Sequence, residues 1–192
     1  MNLVCIVEGD GEVAALPVLL RRIATELGVL VRVPPPIRQP RGRLVREADL
    51  RRAIQLAAKR AGPEDGILLL LDADDDCPAS LAPQLLGIAR GERPDRRIAV
   101  VLAEREFEAW FLGAAASLVQ QGRLHRDSEP PVDPERVRDA KGWLGRAMGS
   151  RYSEVLDQPS FAQLFDMAAA RSACASFDKL WREVGGLLAP RS

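Results

Sequence analysis

Histidine is nearly absent from this chain. The single one, His125, lies in a polar, proline-rich stretch. A multi-histidine metal centre is therefore excluded, and a Ser-His-Asp triad has no footing. Cysteine is scarce too. Cys5, Cys77 and Cys174 are far apart and form no Cys-x-x-Cys pair, which argues against structural zinc and for a reducing, cytoplasmic setting. Net charge is absent, with 27 basic against 27 acidic residues, so bulk electrostatics does not announce a nucleic-acid binder. No apolar run is long enough to span a bilayer, and Met1-Asn2-Leu3-Val4 lacks the basic start of a signal peptide. We find no internal repeat and no low-complexity segment.

What is present is a chain of 192 residues, enough for one substantial core and little more. Strand and helix patterns alternate through residue 121. Apolar runs predict strands over 3–7, 29–33, 67–71 and 98–103. Amphipathic segments predict helices over 13–27, 47–60 (with Leu50, Ile54, Leu56 and Ala57 inward) and 79–89, and a helix growing out of residues 104–112 to about 121. Residues 37–46 read as a Pro/Gly/Arg loop. This is the pattern of an α/β sandwich with a mainly parallel sheet of about four strands. From residue 122 the texture changes to a polar loop and then helices over 134–148, 160–170 and 176–188. We expect one domain, 1–192, made of an α/β core (1–121) and a helical appendage packed on it (122–192).

Two acidic clusters follow two of the strands. The first apolar run ends in Glu8-Gly9-Asp10-Gly11-Glu12, the third in Asp72-Ala73-Asp74-Asp75-Asp76. Open parallel sheets bind ligands outside the carboxyl ends of their strands, so both clusters face one edge. Glu104, Glu106 and Glu108 follow the fourth strand at the same edge. In extended chain Asp72 and Asp74 point the same way. Converging carboxylates repel one another, and a hard cation such as Mg²⁺ or Mn²⁺ relieves that. Each acid taken singly has a structural alternative. Asp10 and Glu12 suit a helix N-terminus, Asp74 to Asp76 a turn and cap, and Glu106 and Glu108 a first helical turn. Glu8, Asp72 and Asp74 together favour a site.

Several chemistries are excluded by what does not accompany these acids. The run ending in Asp72 resembles a Walker B strand, but no Gly-x-x-x-x-Gly-Lys-Ser/Thr precedes it. A dehalogenase-type phosphatase carries its Asp-x-Asp after the first strand, and a receiver domain has Ser or Thr where this chain has Ala103-Glu104. Ser176-Phe177-Asp178-Lys179 matches Ser-x-x-Lys without its partner motifs, so Ser176 reads as a helix N-cap. Trp110, Phe111 and Trp143 read as core anchors.

Basic residues concentrate between Arg32 and Arg60, nine against Glu47 and Asp49. They can tile a solvated face or hold phosphates, since the guanidinium fork matches phosphate oxygens. Arg38, Arg41, Arg43 and Arg46 are the candidates for nucleic-acid contact.

A Glu after strand 1 and an Asp-x-Asp after strand 3 resemble the acidic arrangement of the TOPRIM fold, found in topoisomerases, primases and nucleases of the overcoming-lysogenization-defect type. More specifically, the chain is similar to a small bacterial TOPRIM-like family labelled domain of unknown function 4276. The likeness rests on Val7-Glu8-Gly9 with Glu12, Leu71-Asp72-Ala73-Asp74-Asp75-Asp76-Cys77-Pro78, Glu104-Arg105-Glu106-Phe107-Glu108-Ala109-Trp110-Phe111, Ala140-Lys141-Gly142-Trp143-Leu144 and Ser176-Phe177. It implies a TOPRIM-like three-layer sandwich and metal-binding roles for Glu8, Asp72 and Asp74, with Glu12 as reserve ligand or base. Glu106, Glu108 and Lys141 are candidates for handling a second metal and the phosphate. Lys141 also reads as a solvated helix residue. The implied activity is Mg²⁺-dependent phosphodiester cleavage on nucleic acid, with a separately encoded ATPase as partner in phage defence or repair. A catalytically inactive module that binds such an ATPase is the alternative.

Overall fold

The computed structural model describes residues 1–190. Four strands, β1 (Leu3–Val7), β2 (Ile37–Arg38), β3 (Gly66–Asp72) and β4 (Arg97–Ala103), form one sheet in the order β2-β1-β3-β4. Every pairing is parallel. The α/β class and the parallel sheet of about four strands are as the sequence predicts.

Strand alternation divides the core into two layers. Leu3, Cys5, Val7, Leu68, Leu70, Ala99, Val101 and Ala103 face one side and join a large apolar cluster. Val4, Ile6, Ile67, Leu69, Leu71, Ile98, Val100 and Leu102 face the other. Side chains alternate across a strand with period two, so β1, β3 and β4 are apolar throughout because both faces are covered. Helices α3 (Glu47–Arg60) and α4 (Pro78–Glu92) cover the second face. The first carries α1 (Asp10–Glu26) and α10 (Ala175–Leu188), with α5 (Ala109–Gly113), α6 (Ala115–Gln120), α7 (Ala140–Met148), α8 (Asp157–Leu164) and α9 (Met167–Ala173) packed around them. Trp110, Phe111, Phe161, Phe165 and Phe177 make a chain of edge-on and tilted ring contacts there. Trp110 and Phe111 are fully buried, and Trp143 packs partly buried against the same cluster.

The structure corrects several sequence expectations. No strand forms over 29–33. Leu30 is 95% exposed, and the segment contributes only a bridge between Asn2 and Arg32. The second strand falls after the three prolines, which have no N–H to give a ladder, and the supposed loop 37–46 holds both β2 and the short helix α2 (Arg41–Leu44). Leu56 is 40% exposed; the inward stripe of α3 is Leu50, Ala53, Ile54, Ala57 and Ala58. The helix expected to grow from residue 104 starts only at Ala109, because Arg105 takes a left-handed φ of 62°. The helices over 134–148 and 160–170 are each broken, the first by residues between a single 3-10 turn at Pro134–Arg136 and α7, the second between α8 and α9. Ser176 is not an N-cap: α10 begins at Ala175, and its first N–H groups are capped from a distance by Glu135 (Ala175 N 2.8 Å, Ser176 N 3.0 Å).

Among the described residues no helix is long and apolar enough to cross a membrane.

Candidate functional site

The chain passes from β1 outward to β2, then crosses to β3 on the other side of β1. This reversal opens a crevice between the carboxyl ends of β1 and β3, where doubly wound sheets hold their ligands. Glu8 directly follows β1, and Asp72 ends β3. They meet there: Glu8 Oε1 accepts the backbone N–H of Asp72 at 2.6 Å.

Asp72 is the centre of the cluster. Its Oδ1 accepts the N–H of Phe107 at 2.8 Å. Burial, then the charges of Glu108, Glu8 and Glu12, hold its carboxyl well above the usual range, with Lys141 opposing. Glu8 is raised by burial, partly offset by the Asp72 N–H, and then by the charges of Glu12 and Asp74. Glu12, one turn into α1, is 8% exposed, and its Oε2 is buried without a hydrogen-bond partner. Gly9 makes room for it, since a Cβ there would stand 2.4 Å from Glu12 Oε2.

The other wall comes from the turn after β4 and from the helical half. Ala73 donates to the carbonyl of Ala103 and Asp74 to that of Arg105, which extends the β3–β4 pairing past the strand ends. Asp74 and Arg105 are both left-handed there, with φ of 52° and 62°. Such backbone is uncommon for a residue with a side chain and clusters at functional sites. The turn delivers Glu108, 1% exposed, whose Oε1 accepts from the Tyr152 hydroxyl at 3.2 Å and whose Oε2 has no hydrogen bond. Burial pushes the Glu108 carboxyl up to about 7 against the pull of Lys141. Burial and the adjacent Glu108 charge push the Tyr152 hydroxyl up as well.

Lys141 is not a bystander on a solvated helix. From the first turn of α7 its Nζ lies 2.9 Å from Glu154 and 3.9 Å from both Glu106 and Glu108. Burial disfavours its charge, but Glu108, Glu154 and Asp72 outweigh that and hold it protonated above its ordinary range. Glu106 also accepts the N–H of Ala140 at 3.3 Å, tying α7 to the turn after β4. Gln158 on α8 lies alongside: it is 1% exposed and neither amide atom has a partner. A Cβ on Gly11 would stand 1.8 Å from Gln158 Oε1, so glycine is what lets α8 close over the start of α1. Tyr152, Glu154 and Gln158 escape sequence reasoning because the first two lie in the connection between α7 and α8 and the third in the first turn of α8, with no strand end to mark them. The one signal was Gly11, a small residue on a helix start.

Asp74 does not aim where Asp72 does. Its left-handed backbone breaks the extended alternation, and its carboxylate pairs with Arg41 at 3.2 Å. Arg41 also binds Asp76 and donates to the carbonyls of Asp72 and Ala73. It clamps the acidic loop and is not a free phosphate ligand. Arg38 is likewise engaged, with Asp10 at 2.9 Å. Arg43 and Arg46 make no ion pair among the described residues and line a concavity of about 480 Å³ with Asp49 and Arg52. Among the described residues no group of three or more His, Cys, Asp or Glu side chains is arranged to hold a metal ion.

Fold and site together define an α/β protein with a buried carboxylate–lysine cluster at the switch point of a parallel sheet. The chain belongs to the family described as Domain of unknown function (DUF4276), whose model matches residues 7–185. Neither a curated protein nor a solved structure matches it.

Proposed function

We propose that this protein is a TOPRIM-like, Mg²⁺-dependent enzyme that cleaves phosphodiester bonds in nucleic acid. The observation that carries the reading is the place of Asp72: at the switch-point crevice, bonded to Phe107 N–H, surrounded by Glu8, Glu12 and Glu108, with Lys141 opposing their charge and Arg41 on its backbone carbonyl. Placing so many carboxylates around one buried acid is unfavourable unless a proton or a positive ligand joins them.

The donor atoms are of the kind a hard cation takes, although among the described residues the acids do not already form a three-ligand cage. They are all oxygen, and Glu12 Oε2 and Glu108 Oε2 are buried acceptors with no hydrogen bond. Glu8, Asp72 and Glu108 would have to close together on Mg²⁺ or Mn²⁺ to hold it, with Asp74 and Glu106 at the rim. A bound divalent ion supplies polarisation of the phosphodiester and a water of lowered pKa. The chain's own residues do the rest. Lys141, held protonated, neutralises a phosphate oxygen beside Glu106 and Glu108. Glu12, with a free buried oxygen, is placed to take a proton. Tyr152 orients Glu108. Arg43 and Arg46 offer unpaired guanidinium groups to backbone phosphates.

A second reading is a non-catalytic module for a separately encoded ATPase. The Arg41–Asp74 ion pair favours it, because it commits one of the expected ligands to a structural clamp. The ATPase, and a role in phage defence or repair, rest on the TOPRIM resemblance.

The test is incubation of purified protein with plasmid DNA and with RNA in Mg²⁺ or Mn²⁺. Cleavage that disappears in Asp72→Asn supports the enzyme. Intact DNA and RNA, with Asp72→Asn indistinguishable from the parent in cells, would sink it.

A further inference from the structure

Three carboxylates surround Lys141, and they hold it unequally. Glu106 and Glu108 stand 3.9 Å from its Nζ, too far for a hydrogen bond. Both are engaged elsewhere, Glu106 with the N–H of Ala140 and Glu108 with the Tyr152 hydroxyl. Glu154 alone reaches contact, at 2.9 Å. It is also the accessible one: its side chain is 47% exposed, against 17% for Glu106 and 1% for Glu108.

Glu154 belongs to the connection between α7 and α8, residues 149–156. The chain leaves α7 at Gly149, left-handed with φ of 68°. Two polar contacts tie the middle of the connection to the acidic cluster, Tyr152 to Glu108 and Glu154 to Lys141. Tyr152 packs partly buried on the core, but Val155 and Leu156 are exposed. Glu154 Cβ and Gln158 Oε1 crowd the same side of Gly11. There both amide atoms of Gln158, like Glu108 Oε2, are buried without hydrogen bonds. Burying such groups unpartnered is unfavourable, which weighs against the closed position of the connection. On its outer side the connection and α7 wall an open concavity of about 570 Å³, lined by Lys141, Arg146, Arg151, Tyr152 and Glu154 among others. Arg151 makes no ion pair among the described residues, and Arg146 has Asp139 at 3.4 Å. Three cations and one carboxylate line this entrance, so it suits an anion, and an ammonium takes a phosphate oxygen as readily as a carboxylate oxygen.

We propose that Glu154 occupies the place of a substrate phosphate in the ligand-free protein. A nucleic-acid phosphate entering by this concavity takes Lys141 from Glu154, and the connection 149–156 swings away from the acidic cluster. Carboxylate and phosphate compete for one ammonium, so the Glu154–Lys141 pair keeps the buried acids covered until a phosphate arrives. Arg151, at the entrance, meets a neighbouring phosphate of the same strand. The inference rests on the nuclease reading for the identity of the anion.

The probe is a fluorescein-labelled ten-nucleotide DNA single strand in EDTA, so that binding to the full chain is read by polarisation without cleavage. Tyr152 is the one tyrosine of the chain, and 3-fluorotyrosine gives it a single ¹⁹F resonance. Saturating oligonucleotide should move that resonance in the parent toward the position of free fluorotyrosine. Glu154→Gln should show the moved resonance without oligonucleotide and bind the strand roughly tenfold more tightly. Glu26→Gln, in the last turn of α1, is the control for net charge and should change neither. Lys141→Gln should weaken binding roughly tenfold. A Tyr152 resonance that stays in place at saturation, an equal gain in affinity from Glu154→Gln and Glu26→Gln, or no saturable binding overturns the proposal. The two readings fail separately. Movement of Tyr152 and competition by Glu154 without cleavage in Mg²⁺ would support the gate and sink the nuclease; cleavage with a fixed Tyr152 resonance would sink the gate alone.

Discussion

Glu8 accepts the backbone N–H of Asp72 across the crevice between β1 and β3, at 2.6 Å. The bond fixes the two acidic strand ends against each other, and it makes Asp72 the residue on which the charges of three glutamates converge. The consequences can be measured.

Asp72→Asn keeps an amide oxygen for the Phe107 N–H and removes the converging negative charge. Catalytic sites commonly trade stability for function. The variant should lose cleavage by on the order of a hundredfold or more while melting at or above the parent temperature at pH 8. Loss of both activity and stability would show that Asp72 is structural.

Glu108 gives the fold a pH dependence of definite sign. Its folded carboxyl titrates near 7 against an ordinary 4.5. Between those values the folded chain holds a proton that the unfolded chain has released, so stability is fullest below about 4.5 and falls as pH rises through about 7. The shift corresponds to about 3 kcal/mol at most, and Lys141 shares it. Denaturant melts from pH 5 to pH 8 should show the decline in the parent and a flatter profile in Glu108→Gln. A parallel profile in the two proteins would remove Glu108 as its source.

The arginines separate by role. Exchanging Arg43 and Arg46 for Glu should weaken nucleic-acid binding and lower the slope of log affinity against log salt by about 2, with the melting temperature unchanged. Arg41→Ala should instead lower the melting temperature, because the carbonyls of Asp72 and Ala73 and the carboxylates of Asp74 and Asp76 lose their common partner. Salt titrations and thermal melts of the two variants distinguish these outcomes.

Gly11→Ala drives a methyl group into Gln158 Oε1. Displacing a buried side chain of α8 should destabilise the protein by roughly 1–3 kcal/mol. Denaturant unfolding measures it. A neutral result would show that α8 yields without loss.

The residues that were legible in the sequence are those whose physics is local. Leu3 to Val7, Ile67 to Leu71 and Ile98 to Ala103 announce buried parallel strands by unbroken apolarity, and the acids after them follow from strand ends sharing an edge. The α3 bounds of Glu47–Arg60 are read from the sequence as they stand in the fold. Where tertiary pairing decides, local reading fails. Val29 to Val33 has strand composition, yet the sheet takes Ile37 and Arg38. Asp72 and Asp74 share a face only in extended chain, and the left-handed Asp74 ends that relation. Arg38 and Arg41 read as open cations, but the fold supplies Asp10, Asp74 and Asp76 to them. Tyr152, Glu154 and Gln158 reach the site from far along the chain, and nothing near them in sequence says so.

The central proposal is that Glu8, Asp72 and Glu108, which do not form a ready-made cage, close together on a divalent cation. Calorimetric titration of Mn²⁺ into the purified protein at pH 8, in parallel with Asp72→Asn, tests it most directly. The account predicts saturable binding in the parent and its loss in the variant. Silence in the parent, or equal binding in both, would contradict it.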